Sequence, residues 1–175
     1  MNHAKLIRYF LIFAVTMLYS CGGDDDDLTN IVKFDGSQYK LYKGYQFKGG
    51  ETLSTGSTPF VVILLGEGVS YDHATEKISG IGSSMIFTMY SENSAEIAQG
   101  LYTIDIFSKD SSFSAGECEI LFNYDFEQDT GVCYNVNAGT FDVRNLGSIM
   151  KYNINVVAGD TMFFSGIFKG PVSML

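Results

Sequence analysis

The chain is short of the residues that carry most enzyme and metal chemistry: among 175 residues there are two histidines, three cysteines and no tryptophan. Beyond the N-terminal segment only His73, Cys118 and Cys133 remain, too few to close a zinc site of four protein ligands. A histidine base needs a nucleophile within reach and a carboxylate to orient it. Asp72 adjoins His73, but neighbours on an extended chain point to opposite sides, so His73 reads as a solvated loop residue. Neither Gly66-Glu-Gly68 nor Gly80-Ile-Gly82 is followed by Gly-Lys-Ser/Thr or a helical pattern, and phosphate-cradling loops are excluded. Positive charge is scarce as well, with 11 Lys and Arg against 20 Asp and Glu. An acidic chain of this kind is a poor ligand for nucleic acid or anionic lipid headgroups.

What is present begins at the N-terminus, where His3, Lys5 and Arg8 precede the uncharged apolar run Tyr9 to Leu18. That run is about half the roughly twenty residues a membrane-crossing helix needs, so it reads as the basic and hydrophobic regions of an export signal. Leu18-Tyr-Ser-Cys21 follows. It resembles the bacterial lipobox, with an aliphatic residue three before the cysteine and a small residue directly before it; Tyr19 stands where a small or β-branched residue is more usual. The resemblance implies that residues 1–20 are a signal peptide and that Cys21 becomes the first mature residue, carrying diacylglycerol on its sulfur and a further acyl chain on its amine. Each buried methylene contributes about 0.8 kcal/mol, and two or more chains anchor stably. An ordinary secretory signal would want an Ala-x-Ala-like site, which is missing here. The covalent lipid on Cys21 is the only cofactor expected.

Gly22-Gly23 and then Asp24, Asp25, Asp26 and Asp27 come next. Four like charges in a row repel and do not pack, so residues 21–30 read as an acidic, solvated tether. The run also resembles the acidic cluster that, in Bacteroidetes, follows the lipidated cysteine and directs lipoproteins to the outer face of the outer membrane. It implies an export signal at Asp24–Asp27 and exposure at the cell surface. Calcium binding by the same run lacks preorganised geometry.

Without Lys5 and Arg8 the net charge moves from −9 to −11. Residues 31–171 form one domain by length, with 172–175 as a C-terminal tail. Its apolar residues alternate with polar ones. Tyr39, Leu41, Tyr45 and Phe47 fall on one face of 38–48; Cys118, Ile120, Phe122, Tyr124 and Phe126 alternate with Glu117, Glu119, Asn123, Asp125 and Glu127; Met150, Tyr152, Ile154 and Val156 alternate with Lys151, Asn153 and Asn155. Period two is the mark of antiparallel strands with one wet face. Phe60 to Leu65 is apolar without alternation and predicts a central strand covered on both sides. Glycine, Asn and Asp breaks at 49–50, 66–68, 79–82, 128–131, 137–139, 145–147 and 158–160 separate the runs. The expectation is an all-β domain, a single antiparallel β-sandwich of roughly eight to ten strands, with a lipocalin-like β-barrel as the alternative. Glu92 to Gln99 is the only helical candidate.

Gly139-Thr-Phe-Asp-Val143, Gly147, Tyr152-Asn-Ile154 and Ser165-Gly-Ile-Phe-Lys-Gly-Pro171 resemble the closing three-strand meander of small Bacteroidetes outer-membrane and cell-surface lipoproteins with a β-sandwich or lipocalin-like domain. Gly100-Leu-Tyr-Thr103 is similar to their strand entry. The resemblance implies a place and a shape; these families are largely of unassigned function.

Remaining chemistry is sparse. Asp125-Phe-Glu-Gln-Asp-Thr-Gly131 has acids at loop positions 1, 3 and 5, but its glycine is at 7 and Val136 stands where an EF-hand carries Glu, so a polar hairpin turn is preferred and no metal is expected. Glu117, Glu119, Asp125 and Glu127 lie on a polar face that solvation explains, and no catalytic residue or enzyme activity is expected. Cys118 and Cys133 could bridge in an oxidising envelope, although Cys118 shares a face with Ile120 and Phe122 while Cys133 lies opposite Val132 and Tyr134. A disulfide needs both partners on one side. Two functions stay open. One is a membrane-anchored binding or accessory module for a glycan or protein partner, with tyrosines available as stacking platforms; the other is a lipocalin-like carrier of a small apolar ligand. A fimbria-like structural subunit is a variant, though only Val-Ser-Met-Leu follows Pro171 to serve as a donor strand.

Overall fold

The computed structural model describes residues 29–104 and 113–175. Cys21, Asp24–Asp27 and the signal segment lie outside the described residues. The rest is all-β, with no helix among the described residues. The strands are β1 (Ile31–Phe34), β2 (Ser37–Lys48), β3 (Thr58–Gly66), β4 (Val69–Asp72), β5 (Lys77–Ser91) and β6 (Gly100–Ile104), then β7 (Ser114–Asp125), β8 (Thr130–Asn145), β9 (Met150–Ala158), β10 (Met162–Gly170) and β11 (Val172–Met174). They form one large sheet in the order β1-β10-β9-β8-β6-β7-β5-β3-β2-β11, with β4 paired to β5.

The sheet coils until its two halves pack inner face on inner face, in the manner of a sandwich. Phe87 of β5 stacks on Phe141 of β8, ring centroids 4.5 Å apart, and meets Tyr152 of β9 edge-on at 5.7 Å. Tyr39 of β2 stacks on Phe122 of β7 at 3.6 Å. The interior that a carrier would keep open is thus filled by aromatic rings. Nor is this a closed barrel: the long strands β10 and β2 are not ladder partners. The gap between them is bridged by short segments, β1 bonding both at one end and β11 pairing with Gly44–Gln46 at the other. Residues 172–174, expected as a tail, are therefore a strand. The β11–β2 and β6–β7 pairings are parallel, the two departures from an antiparallel sheet.

Alternation holds where the ladder is regular. Met150, Tyr152, Ile154 and Val156 are all buried, and β3 is covered on both faces, with Val62 and Leu64 inward and Ile63 and Leu65 buried under a second, outer cluster. It fails at bulges, because one extra residue reverses every later side chain. In β2 the register shifts between Leu41 and Lys43, so Tyr39 and Leu41 face the core whereas Tyr45 and Phe47 join the outer cluster. Residues 38–48 thus turn apolar side chains to two faces, where alternation alone predicts one. Asn123, at φ 48°, lies within a similar shift in β7, which carries Phe126 to the outer cluster.

Two expected breaks turn out to be inside strands. Gly80, at φ 97°, lies within β5, where a Cβ would collide with the Gly68 carbonyl oxygen; Gly139, at φ 126°, lies beside a shift in β8, where a Cβ would collide with the Asn155 carbonyl. Both are close backbone approaches that only glycine permits. The helical candidate at 92–99 is a loop wound on Ser91, whose Oγ accepts from the Asn93 and Ala98 N–H groups and donates to the Glu96 carbonyl. Ser and Asn side chains that bond nearby backbone compete with helix formation.

Gln46, turned inward by the bulge, is 7% exposed and its Oε1 has no hydrogen-bond partner. A buried unsatisfied amide destabilises, so Gln46→Met is expected to raise stability by about 1 kcal/mol. Phe122→Ala should lower it by about 3 to 5 kcal/mol, and exposed Glu119→Ala should change it by under about 0.5. Urea titration reads all three, and a Gln46→Met loss as large as that of Phe122→Ala would mean the amide is bonded. Burial, against the lowering effect of Ser91 and with the Glu92 charge adding to it, also pushes the Tyr102 hydroxyl, which donates to the Ala98 carbonyl, from 10 up to about 12. The folded state then holds this proton more tightly than the unfolded chain. Its contribution is intact below pH 10 and is lost as pH rises through 12, so alkaline titration should show stability falling from about pH 10 upward.

Candidate functional site

The second cluster is built on the outer face by the bulge in β2. Reversed parity brings Tyr45 and Phe47 beside Ile63 and Leu65 of β3, and the short β4 carries Tyr71 against them, its ring 5.2 Å from that of Tyr45. Together with Ile78 of β5 this leaves a groove of about 380 Å³. Ile63 forms its floor, Phe47 and Tyr71 its walls, and Lys48, His73 and Glu76 its exposed rim.

The loop at the mouth is held by Asp72. Its Oδ2 accepts from the Thr75 hydroxyl at 2.8 Å and its Oδ1 from the Ala74 N–H at 2.9 Å. These bonds, the Thr75 one foremost, hold the Asp72 carboxyl below its usual range. The Asp72 carboxylate thus serves its own turn. His73 shares the rim with Glu76 and Lys48, and the lining holds no Ser, Thr or Cys. An apolar floor, two aromatic walls and a rim of mixed charge suit stacking and hydrogen bonding of a ligand, and supply no nucleophile and base in contact.

The other residues singled out from sequence are spread apart. Cys118 is buried in the core and Cys133 exposed, and both are free. Cys133 pairs with Leu121 in the ladder and so stands on the side opposite Cys118; the disulfide weighed for this pair does not form, because the pleat sends the two thiols to different faces. In the Asp125–Gly131 turn, Asp125 Oδ1 accepts from the Glu127 and Gln128 N–H groups, both at 3.0 Å. Glu127 accepts from the Gly80 N–H at 3.0 Å, and Asp129 accepts from the Tyr124 hydroxyl. Each carboxylate of the turn is engaged in bracing a hairpin. Among the described residues no three His, Cys, Asp or Glu side chains converge as metal ligands do.

Sequence reading missed the groove because it placed Tyr45 and Phe47 inside. The available signal was the break in alternation at Leu41-Tyr42, followed by Gly44, whose Cβ would press on Val172, Phe168 and Leu64. No protein-family model, curated protein or solved structure matches the chain.

Burial pushes the Cys118 thiol up, with the Glu119 charge adding to it; Cys133 is raised less strongly, by partial burial and then by Glu119 and Asp129. Thiolate character and access set reactivity. Of these two thiols, maleimide labelling of the native protein at pH 8 should therefore modify only Cys133, slowly, and reach Cys118 only in denaturant. Equal labelling of both in native buffer would mean that β7 is out of register.

Proposed function

We propose that the protein is a lipid-anchored lipoprotein of the bacterial outer membrane, exposed at the cell surface, whose β domain acts as a binding or accessory module for a glycan or protein partner. Anchoring is supported by the basic and apolar segments that lead into Leu18-Tyr-Ser-Cys21, and surface exposure by the acidic run Asp24–Asp27. Binding at the surface is supported by one observation above all, the outer-face groove with Phe47 and Tyr71 as walls over Ile63. Aromatic walls give a ligand large contact area at low entropic cost, and a polar rim fixes its orientation. The ring-filled interior leaves little room for the enclosed apolar ligand of a carrier.

A serine hydroxyl cannot form the thioether, so Cys21→Ser should abolish incorporation of a tagged fatty acid and release the protein from the membrane fraction; wild-type labelling of the variant would end the lipoprotein reading. For the groove, glycan arrays and surface crosslinking supply the partner, and Tyr71→Ala should weaken its binding about tenfold, equivalent to about 1.4 kcal/mol, while the thermal midpoint falls only as the loss of one half-buried ring requires and the circular dichroism spectrum stays that of the wild type. An unaltered affinity would place the contact elsewhere.

A further inference from the structure

On a different part of the surface the strand register assembles a polar ladder. Lys33 of β1 pairs with Ser165 of β10, Ser165 with Asn155 of β9, Asn155 with Thr140 of β8, and Thr140 with Thr103 of β6. All five side chains are outward, at exposed or half-buried positions, flanked along the strands by inward residues such as Phe141, Ile154 and Phe164. Neighbouring strands lie about 4.8 Å apart, so the row presents one hydrogen-bonding side chain per strand across roughly 19 Å. Two shallow depressions open along it and share Lys33 and Ser165. One, of about 270 Å³, also takes in Asn153 and Asn155; the other, of about 320 Å³, is bounded by Phe163. Phe163 lies two residues before Ser165 on the same face of β10 and is 70% exposed, the most exposed of the large apolar side chains described.

We propose that this strip, the Lys33–Ser165–Asn155–Thr140–Thr103 row with Phe163 at its side, is a binding site for a neutral, linear polysaccharide. A chain of sugars repeats hydroxyl groups at close, regular intervals and exposes apolar ring faces. Amide and hydroxyl side chains on successive strands match the first property, and an exposed aromatic ring matches the second. Asn153 is already held in place: its Nδ2 donates to Asp142 Oδ2 at 2.9 Å, and the same oxygen accepts from Arg144 Nε at 3.3 Å. That network keeps the row's neighbour rigid before a ligand arrives, which lowers the entropic cost of binding.

Other occupants fit less well. The core of a protein interface is apolar and aromatic, whereas the row carries three hydroxyls, one amide and one ammonium, with its one exposed ring at the side. An anionic polymer would meet a single cation in the row, on a chain of net charge −9. The site depends on the reading of the domain as a surface binding module, but uses a face separate from the Tyr71 groove, so the two fail independently.

The test uses the mature lipidated chain in detergent micelles, titrated calorimetrically with linear β-1,4-linked hexasaccharides of glucose, xylose and mannose. At least one is expected to bind. Phe163→Ala and Asn155→Ala should each weaken that binding tenfold or more, with circular dichroism and thermal midpoint unchanged, and Tyr71→Ala should leave it intact. The strip is overturned if none of the hexasaccharides binds wild type, if both strip variants bind as wild type does, or if Tyr71→Ala alone removes binding. It is equally overturned if Phe163→Ala abolishes self-association or capture of a protein partner while sugar affinity stays the same. In each of these cases the Tyr71 groove still stands or falls by its own variant.

Discussion

The packing of Phe87 against Phe141 and Tyr152 decides which side of the coiled sheet is inside, and the outer surface inherits its pattern from that decision. Once those rings from β5, β8 and β9 meet, the pleat fixes the orientation of every neighbour at intervals of two. On β8, β9 and β10 the rule runs for long stretches, so the residues between the core positions fall into register across strands and give the polar row. On β2 and β7 the rule is reversed part-way by a bulge, so aromatic residues that would otherwise fill the core are delivered to the surface. A polar strip and an apolar groove are thus two outcomes of one constraint, unbroken along the strip and reversed beside the groove.

The outer cluster carries a cost that shapes the strands around it. Apolar side chains on a sheet face leave an aggregation-prone surface unless something covers them. Here β4 serves as the cover, folding back along the first half of β5 and laying Val69 and Tyr71 on Leu65 and Ile63. The cover is short and its crossing is tight, as the glycine at 80 beneath the Gly68 carbonyl requires. A four-residue strand shields Leu65 fully but leaves Phe47 and Ile78 partly open. What is left uncovered is the groove.

Much of the fold was legible because period-two alternation survives wherever strands pair without interruption: the runs at 150–156 and 117–122, and the doubly buried 60–65, were readable from residue type alone. The groove was not, because a bulge is a property of two strands together. Nothing local to Tyr45 or Phe47 reveals that Leu41 and Lys43 straddle a register shift against β3. Glycines misled in a related way. Gly80 and Gly139 read as turns, yet they mark places where another backbone passes too close for a Cβ, and that crossing lies in the partner segments, out of view of the local sequence. The cross-strand row of Lys33, Ser165, Asn155, Thr140 and Thr103 was hidden for the same reason, since its members come from five strands whose register only the assembled sheet defines.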